Sequence, residues 1–337
     1  MSTATPPPGG GHLVSGSTYL SLPRAPETWL IKDLLPVGGS MLIFGDAKAG
    51  KSYLGLQLAL ALSGARPDFL SFQTIRTGRV AYIQLDTPRS LWADRISRLT
   101  EAGEPFPSAP IWFGDRETLG TWPFDITDPS HRSILRKGLW EEPVREEVDR
   151  ETGEVLGTPV APTAVILDTI REAHSLDEND STDMRNVIAA VEATVRPAAL
   201  IIIAHARKPS GDAPPDLMAD NRGSNFVVGR MDAILRLTKK TIYYTGRAIE
   251  EGSFRIRRTD SGLWVADEAG NEDHLRAVLA DPTLSSLSAR AKALAGRIGK
   301  GEEACRSILR RVAGDPPPTP SASRLPVQAA RMPQDGR

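Results

Sequence analysis

The chain of 337 residues contains little cysteine and few aromatic residues, and it has no long apolar run. One cysteine, Cys305, and five scattered histidines exclude a disulfide framework and give no basis for a Cys/His zinc site. No stretch reaches the roughly 18 apolar residues of a membrane span. The Pro/Gly/Ser-rich beginning also lacks the apolar centre of a signal peptide. We therefore expect a soluble, cytoplasmic protein with no membrane partner.

The charge balance is nearly neutral, with 41 Lys plus Arg against 42 Asp plus Glu. Bulk charge therefore does not indicate a nucleic-acid partner. Only nine of the 41 basic residues are Lys, a bias that codon usage or selection for phosphate contacts would produce. Local charge is uneven, because the segment 141–157 is strongly acidic whereas the segment 285–314 carries seven bases and two acids.

Apolar runs that read as strands alternate with helical patterns, which predicts an α/β fold with a mainly parallel sheet flanked by helices. Several of the runs are apolar throughout, as in strands that are buried on both faces. The predicted elements are strands at Met41–Phe44, Val80–Leu85, Ala164–Leu167 and Leu200–Ala204, and helices at Tyr53–Leu62, Leu91–Leu99 and Met184–Val195. Four further runs between residues 233 and 266 predict antiparallel strands that extend one edge of the sheet.

The sequence predicts four regions. Residues 1–27 form a disordered tail, 28–270 the α/β domain, 271–314 a small helical module and 315–337 a second disordered tail. The acidic segment 141–157 is interpreted as a charged hairpin inserted into the domain. The module contains two helical patterns, Leu287–Ile298 and Glu302–Val312, separated by a short Gly-Lys-Gly turn.

The segment Gly45–Ser52 fits the phosphate-loop pattern G-x-x-x-x-G-K-[ST] between a buried strand and a helix. Its backbone N–H groups and the helix N-terminus would hold phosphates, Lys51 would bridge the β- and γ-oxygens, and the Ser52 hydroxyl would bind Mg²⁺. The sequence thus predicts ATP and Mg²⁺ as cofactors. The predicted cofactor-binding residues are Gly45, Asp46, Ala47, Lys48, Ala49, Gly50, Lys51, Ser52 and Tyr53.

Three further side chains come at the ends of predicted central strands, at the sheet edge where ligands of open α/β sheets bind. Asp168 ends an apolar strand and resembles the Walker B acid that holds Mg²⁺, although an acid there can also cap a turn. Asp86 is the candidate general base for water, or alternatively a helix N-cap. His205 is either a sensor of the γ-phosphate or a histidine tied to a neighbouring carbonyl.

These landmarks, led by the segment 29–39, resemble the RecA-like P-loop ATPases, and within them the AAA/RepA-type hexameric replicative helicases of plasmids and phages. The resemblance runs from about Trp29 to Ala266. It implies a RecA-like core, a hexameric homo-oligomeric ring and a catalytic role for Lys51, Asp168 and His205. The family has a catalytic Glu where this sequence has Asp86, which is one methylene shorter.

The resemblance also implies arginines that reach the nucleotide of the adjacent subunit. Arg236 is the first candidate for this catalytic finger, and Arg222 and Arg247 are weaker ones. The loop that follows His205 faces the ring channel in such motors, so Arg207 and Lys208 become candidates for contact with single-stranded DNA. The loop carries three acids against these two bases, so an ordinary surface loop remains the alternative.

The basic helical module lies outside the resemblance. It is either a helix-turn-helix that sets Arg306 and Arg310 against duplex DNA, or an amphipathic pair that packs on a neighbouring subunit. We expect a Mg²⁺-dependent ATPase that acts as a DNA helicase or translocase. The alternatives are an ATP-switched recombination mediator or helicase loader, and an ATP-controlled DNA-binding regulator.

Overall fold

The computed structural model describes residues 28–141, 161–206, 225–267 and 278–298, together with 15–17 and a few positions at 275 and between 302 and 309. Nearly all of the two predicted tails and of the acidic hairpin at 141–157 lies outside the described residues. The loop after Ala206 also lies outside them, and with it Arg207, Lys208 and Arg222.

A nine-stranded sheet forms the centre of the protein, in the order β13-β12-β11-β10-β3-β9-β8-β6-β7. The six strands from β10 to β7 are parallel to one another. The remaining three extend the sheet as antiparallel neighbours beyond β10. The strands of the sheet are β3 (Ser40–Gly45), β6 (Val80–Gln84), β7 (Ile111–Asp115), β8 (Ala164–Asp168), β9 (Ala199–His205), β10 (Ala233–Leu237), β11 (Thr241–Gly246), β12 (Gly252–Arg258) and β13 (Trp264–Ala266).

Helices cover both faces of this sheet. The first face carries α1 (Lys51–Leu62) and α2 (Arg89–Glu101), whose apolar residues pack with alternate strand residues such as Ile43 and Tyr82. The other face carries α3 (Pro129–Trp140), α4 (Ser181–Val195) and α5 (Asn225–Arg230). The central strands β3 and β8 are buried along their whole length and β9 is buried from residue 199 to 204, as the uniformly apolar runs within them predicted. The predicted α/β class, with a mainly parallel sheet flanked by helices and antiparallel strands at one edge, is confirmed.

Two elements of the sheet region were not predicted from the sequence. Strand β7 lies at the sheet edge and is only half-buried, so its sequence IWFGD lacks the uniform apolar character of the central strands. Helix α3 follows it and begins at Pro129, capped by the Asp128 side chain, which accepts a hydrogen bond from the backbone N–H of Ser130. Its buried residues, Leu135 and Leu139, are too few to give a strong periodic pattern.

Two short antiparallel pairs flank the sheet. They are β1 (Trp29–Ile31) with β2 (Leu35–Pro36), and β4 (Asp68–Phe69) with β5 (Phe72–Gln73). The predicted strand at 233–238 is present as β10, but it pairs in parallel with β3, so the antiparallel extension begins with β11.

The C-terminal module contains α6 (Leu287–Ile298), and the described positions between 302 and 309 are also helical. A small apolar cluster holds the two segments together, and within it Cys305 is fully buried. The module contacts the antiparallel edge of the sheet, since α6 packs on β12. Burial raises the pKa of Tyr244 on β11, and the neighbouring Cys305 of the module adds to this rise. In the described part of the chain, no helix has the length and apolar character needed to cross a membrane.

Candidate active site

The loop between β3 and α1 curls tightly around the start of the helix. Gly50, the residue before α1, has a φ of 96°, and Lys48 has a φ of 60°, so both adopt the left-handed conformation. A side chain on Gly50 would also meet the ring of Trp264, whose nearest atom lies 2.9 Å from the position of a Cβ. Glycine is therefore required at position 50 both by backbone conformation and by space.

Lys51 is held inside the curl of this loop. Its Nζ donates hydrogen bonds to the carbonyls of Gly45, over 3.0 Å, and Asp46, over 2.9 Å, and lies 3.3 Å from Nδ1 of His205. Burial lowers the pKa of Lys51, and the nearby Asp168, Asp46 and Asp86 oppose the shift. The ammonium is therefore positioned where phosphate oxygens could replace its carbonyl partners.

Asp168 ends β8 and is only 1% exposed. Its Oδ2 accepts a hydrogen bond from the hydroxyl of Tyr82 over 2.8 Å. Burial raises the pKa of Asp168, and the hydroxyls of Ser52 and Tyr82 oppose that shift by favouring the carboxylate.

Two polar atoms beside Ser52 fit a bound cation. Among the described residues, Oδ1 of Asp168 and Oγ1 of Thr169 are buried without a hydrogen bond of good geometry. Buried oxygens without partners are costly unless a ligand or a water satisfies them. A carboxylate and hydroxyls are also the hard oxygen donors that Mg²⁺ prefers. The donor set formed by Ser52 and Asp168 therefore fits the predicted magnesium site.

A cavity of about 290 Å³ opens at the carboxyl ends of β3, β6, β8 and β9. It brings together the phosphate-loop lysine and the predicted strand-end residues. Its lining includes Lys51, Ser52, Asp86, Asp168, Thr169 and His205. The positions of these side chains agree with the sequence prediction, whereas their catalytic roles remain predictions.

Asp86 stands just beyond β6 and is exposed to solvent, in contrast to the buried Asp168. The backbone N–H of Leu85 donates to the carbonyl of Asp168 over 2.7 Å, which fixes the peptide before Asp86 against the end of β8. Asp86 is close enough to influence Lys51 electrostatically. An exposed carboxylate beside a phosphate-binding lysine is suitably arranged to interact with a water near the phosphates.

Sequence reasoning missed two arginines that line the same cavity. The guanidinium of Arg95, on α2, lies 5.1 Å from the ring centroid of Tyr53, and that of Arg258, on β12, lies 4.5 Å from it. The charge of Arg95 also acts on Asp168 and opposes the rise in its pKa that burial causes. Arg95 lies on the helix that directly follows Asp86, and this position in the sequence could have suggested that it lines the site. No local sequence pattern indicates Arg258.

The predicted finger Arg236 does not have the expected environment. It lies on β10, is 5% exposed and has its guanidinium 5.9 Å from the ring centroid of Phe44 within the same protomer. A residue that reaches the nucleotide of an adjacent subunit must extend from the surface, so this burial favours other arginines over Arg236, and the identity of the finger stays a prediction. Arg247 is 62% exposed and its Nη1 lies 3.2 Å from Oδ1 of Asp232, whereas Arg222 lies outside the described residues.

The candidates for nucleic-acid contact are described only in part. Arg207, Lys208 and Arg310 lie outside the described residues. Arg306 donates from Nη2 to the Ser288 hydroxyl over 2.9 Å and lies 3.8 Å from the Glu302 carboxylate. These contacts lie within the helical module, so Arg306 helps to join its two helical segments.

Residues 14–211, more than half of the chain, match the family described as the AAA domain. The chain belongs to this family. This match shows that the chain has an AAA-type ATPase domain, which implies nucleotide binding. At this level the predicted resemblance to P-loop ATPases of the AAA type is confirmed.

No curated protein matches the chain. Among solved structures, this AAA domain is similar to a DnaB-like replicative helicase studied with primase, at 12% identity and a TM-score of 0.47, covering 68% of this chain and 58% of that one. It is also similar to a second solved ATPase domain, at 13% identity and a TM-score of 0.46, covering 67% of this chain and 84% of that one. The protein thus spans little more than half of the first structure, and likeness at this level carries no functional argument.

Proposed function

We propose that the protein is a Mg²⁺-dependent ATP hydrolase that acts as a ring-forming, hexameric DNA helicase or translocase in plasmid- or phage-type replication. One observation carries the hydrolase part: Lys51, Asp86 and Asp168, which follow three different parallel strands, line one cavity. NTP hydrolysis requires a phosphate-binding lysine, a carboxylate that holds the cation and a group that orients water.

Each residue has a distinct part in the proposed site. The loop N–H groups and Lys51 bind the phosphates, while Ser52 and Asp168 hold Mg²⁺. When bound, Mg²⁺ neutralises negative charge on the β- and γ-phosphate oxygens. Asp86 orients the attacking water and accepts its proton, directly or through one further water because the side chain is shorter than that of Glu.

The motor part of the proposal rests on the sequence resemblance to RepA-type helicases. His205 contacts Lys51 and directly precedes the loop that contains Arg207 and Lys208. A change at the γ-phosphate could therefore pass through His205 to residues that contact single-stranded DNA. In the proposed ring, an arginine of the adjacent subunit completes the site, and Arg247 suits this role because of its exposure.

The nucleotide site is tested by Lys51→Ala, with Lys32→Ala as a control that removes an exposed lysine outside the site. Binding of a fluorescent ATP analogue is measured by anisotropy in the presence of Mg²⁺. We expect Lys51→Ala to weaken binding by at least 10-fold or to abolish turnover, and Lys32→Ala to behave as wild type. Unchanged binding and unchanged turnover in Lys51→Ala would refute the proposed site.

The helicase part is tested by ATP turnover with and without single-stranded DNA, by strand displacement on a forked duplex, and by the mass of the assembly. We expect DNA-stimulated turnover, displacement that requires hydrolysable ATP, and a mass near six protomers with ATP and DNA. Turnover that single-stranded DNA does not stimulate would exclude the helicase. A stable complex on DNA without strand displacement would favour a recombination mediator or a helicase loader.

A further inference from the structure

The hydroxyl of Tyr82 contacts the carboxylate of Asp168, the proposed ligand of the magnesium ion. Tyr82, on β6, is fully buried, and its hydroxyl donates to Oδ2 of Asp168 over 2.8 Å and lies 3.4 Å from the carbonyl of Ser52. Both residues that fit the cation therefore have a contact with this one hydroxyl. A phenol hydroxyl has one proton to donate, and the carboxylate of Asp168 accepts it.

The ring of Tyr82 is held in place by aromatic packing. Its centroid lies 5.1 Å from that of Trp92 on α2 and 6.0 Å from that of Phe113 on β7. A ring packed in this way has little freedom to change its rotamer. The direction of the hydroxyl is therefore fixed by the core of the protein and does not depend on a mobile loop.

A glycine in α1 makes room for this hydroxyl. A Cβ on Gly55 would lie 2.7 Å from Oη of Tyr82 and 2.7 Å from Cδ1 of Ile203, which is closer than real Cβ contacts. Glycine inside a helix is less favourable than alanine. Its place in the second turn of α1 is explained by the space that the hydroxyl of Tyr82 needs.

We propose that Tyr82 is a positioning residue for the divalent cation, acting through Asp168. By occupying Oδ2, the hydroxyl fixes the rotamer of the carboxylate and leaves Oδ1 as the acceptor that faces the cation. Outer hydrogen-bond partners of a metal ligand commonly control metal affinity in this way. The inference rests on the proposed function, since it assumes that Ser52 and Asp168 hold Mg²⁺ with the nucleotide.

The first test is Tyr82→Phe, which removes the hydroxyl and keeps the ring. Binding of a fluorescent ATP analogue is followed while Mg²⁺ is titrated, and Mn²⁺ binding is followed by EPR as a readout that does not depend on turnover. We expect the Mg²⁺ concentration at half-saturation to rise by about 10-fold or more. Nucleotide affinity in EDTA should not change, because the loop and Lys51 are untouched.

The matched control is Phe113→Leu, which disturbs the same aromatic cluster and leaves the hydroxyl of Tyr82 in place. We expect the Mg²⁺ midpoint of this control to remain within about twofold of wild type, even if its melting temperature falls. An unchanged midpoint in Tyr82→Phe, or an equal shift in Phe113→Leu, would overturn the proposal. A wild-type protein that binds nucleotide without any Mg²⁺ dependence would instead remove the magnesium site of the proposed function.

A second variant distinguishes an effect of the Tyr82 hydroxyl on Mg²⁺ affinity from a general effect of altered packing. Gly55→Ala should push the hydroxyl of Tyr82 away from Asp168 and raise the Mg²⁺ midpoint by a similar factor. In the Tyr82→Phe background that hydroxyl is already absent, so Gly55→Ala should add less than about twofold, a non-additivity expected of residues in contact. Fully additive shifts in the double variant would overturn the proposal, and circular dichroism checks that each variant is folded.

Discussion

The indole Nε1 of Trp264 donates a hydrogen bond to the carbonyl of Gly50 over 3.3 Å, so the outermost strand of the sheet contacts the phosphate loop. The side-chain amide of Gln57 reinforces the contact, since it bonds both the N–H and the C=O of Trp264, over 2.9 and 2.8 Å. The antiparallel extension of the sheet therefore supports the nucleotide site.

Removing this support should weaken the site. We expect Trp264→Phe, which loses the indole N–H but keeps an aromatic ring, to reduce ATP affinity by a few-fold and to lower the melting temperature. Calorimetric titration and thermal melting measure the two effects. Trp112→Phe, at the other edge of the sheet, serves as the control, and an equal loss of ATP affinity in that variant would contradict a specific role for Trp264.

Asp86 is expected to act in hydrolysis and not in binding, because it is exposed beside the buried cation ligand Asp168. Asp86→Asn should keep ATP affinity within about threefold and reduce turnover by roughly 100-fold or more, the usual contribution of a general base. Asp94→Asn, which neutralises an exposed acid on α2, should turn over normally. Normal turnover in Asp86→Asn would assign the base to another residue.

Arg95 is predicted to stabilise negative charge on the phosphates within its own subunit. Its guanidinium is stacked between Tyr53 and Trp92, at 5.1 Å from each ring centroid, and acts electrostatically on Asp168. Arg95→Ala should lower the turnover number by about 10-fold to 100-fold. Arg98→Ala on the same helix is the control, and the steady-state rate at saturating ATP is the measurement. Equal losses of turnover in the two variants would show that Arg95 contributes only to the general positive charge of α2 and makes no specific contact with the phosphates.

The finger that acts between subunits can be found by mixing inactive variants. Arg247→Ala subunits should lack turnover, and mixing them with Lys51→Ala subunits should restore part of it, because one interface in the mixture would combine an intact lysine with an intact arginine. Arg236→Ala should instead lower the free energy of unfolding by about 1–3 kcal/mol, since it removes a buried side chain. If mixing with Lys51→Ala subunits restored turnover for Arg236→Ala and not for Arg247→Ala, Arg236 would be the finger, as first predicted from the sequence.

The parts of the site that the sequence predicted are those encoded by contiguous residues. The phosphate loop combines two glycines, a lysine and a serine within eight positions, and the strands that end at Asp168 and His205 are uniformly apolar. Because parallel strands end at the same edge of a sheet, strand order along the chain was enough to expect Asp86 near them.

The residues that the sequence did not indicate come from distant parts of the chain. Trp264 reaches Gly50 across 214 positions, and Arg258 on β12 joins the cavity by extending over the ring of Tyr53 on the phosphate-loop helix. Arg236 was preferred because its segment resembles the region where the family places intersubunit arginines, and that resemblance carries no information about burial. Strand β10 is buried along its whole length, and no single-sequence pattern distinguishes such an arginine from an exposed one.

The carboxylate of Asp115 should support the fold in a pH-dependent way. A two-point hydrogen bond from Arg89, at 2.6 Å to each oxygen, lowers the pKa of Asp115 to about 2, and the backbone N–H and hydroxyl of Thr118 add to the shift. A carboxyl whose pKa is depressed in the folded state contributes stability above its unfolded value, near 3.8, and loses that contribution as the pH falls towards 2.

Asp115→Asn should therefore lower the free energy of unfolding at pH 7 by about 1 kcal/mol, after allowance for the partly exposed setting of this ion pair. Urea unfolding followed by circular dichroism at pH 7, 5, 4 and 3 measures the difference between variant and wild type. The difference should be constant between pH 7 and 5 and should shrink below about pH 4, because the carboxyl of the unfolded wild-type chain then binds protons while the folded one, with its pKa of about 2, stays ionised. Asp260→Asn, at an exposed acid in the turn between β12 and β13, should show no such trend. A difference for Asp115→Asn that stays the same down to pH 3 would mean that the charge of Asp115 does not contribute to stability and that only its hydrogen bonds do.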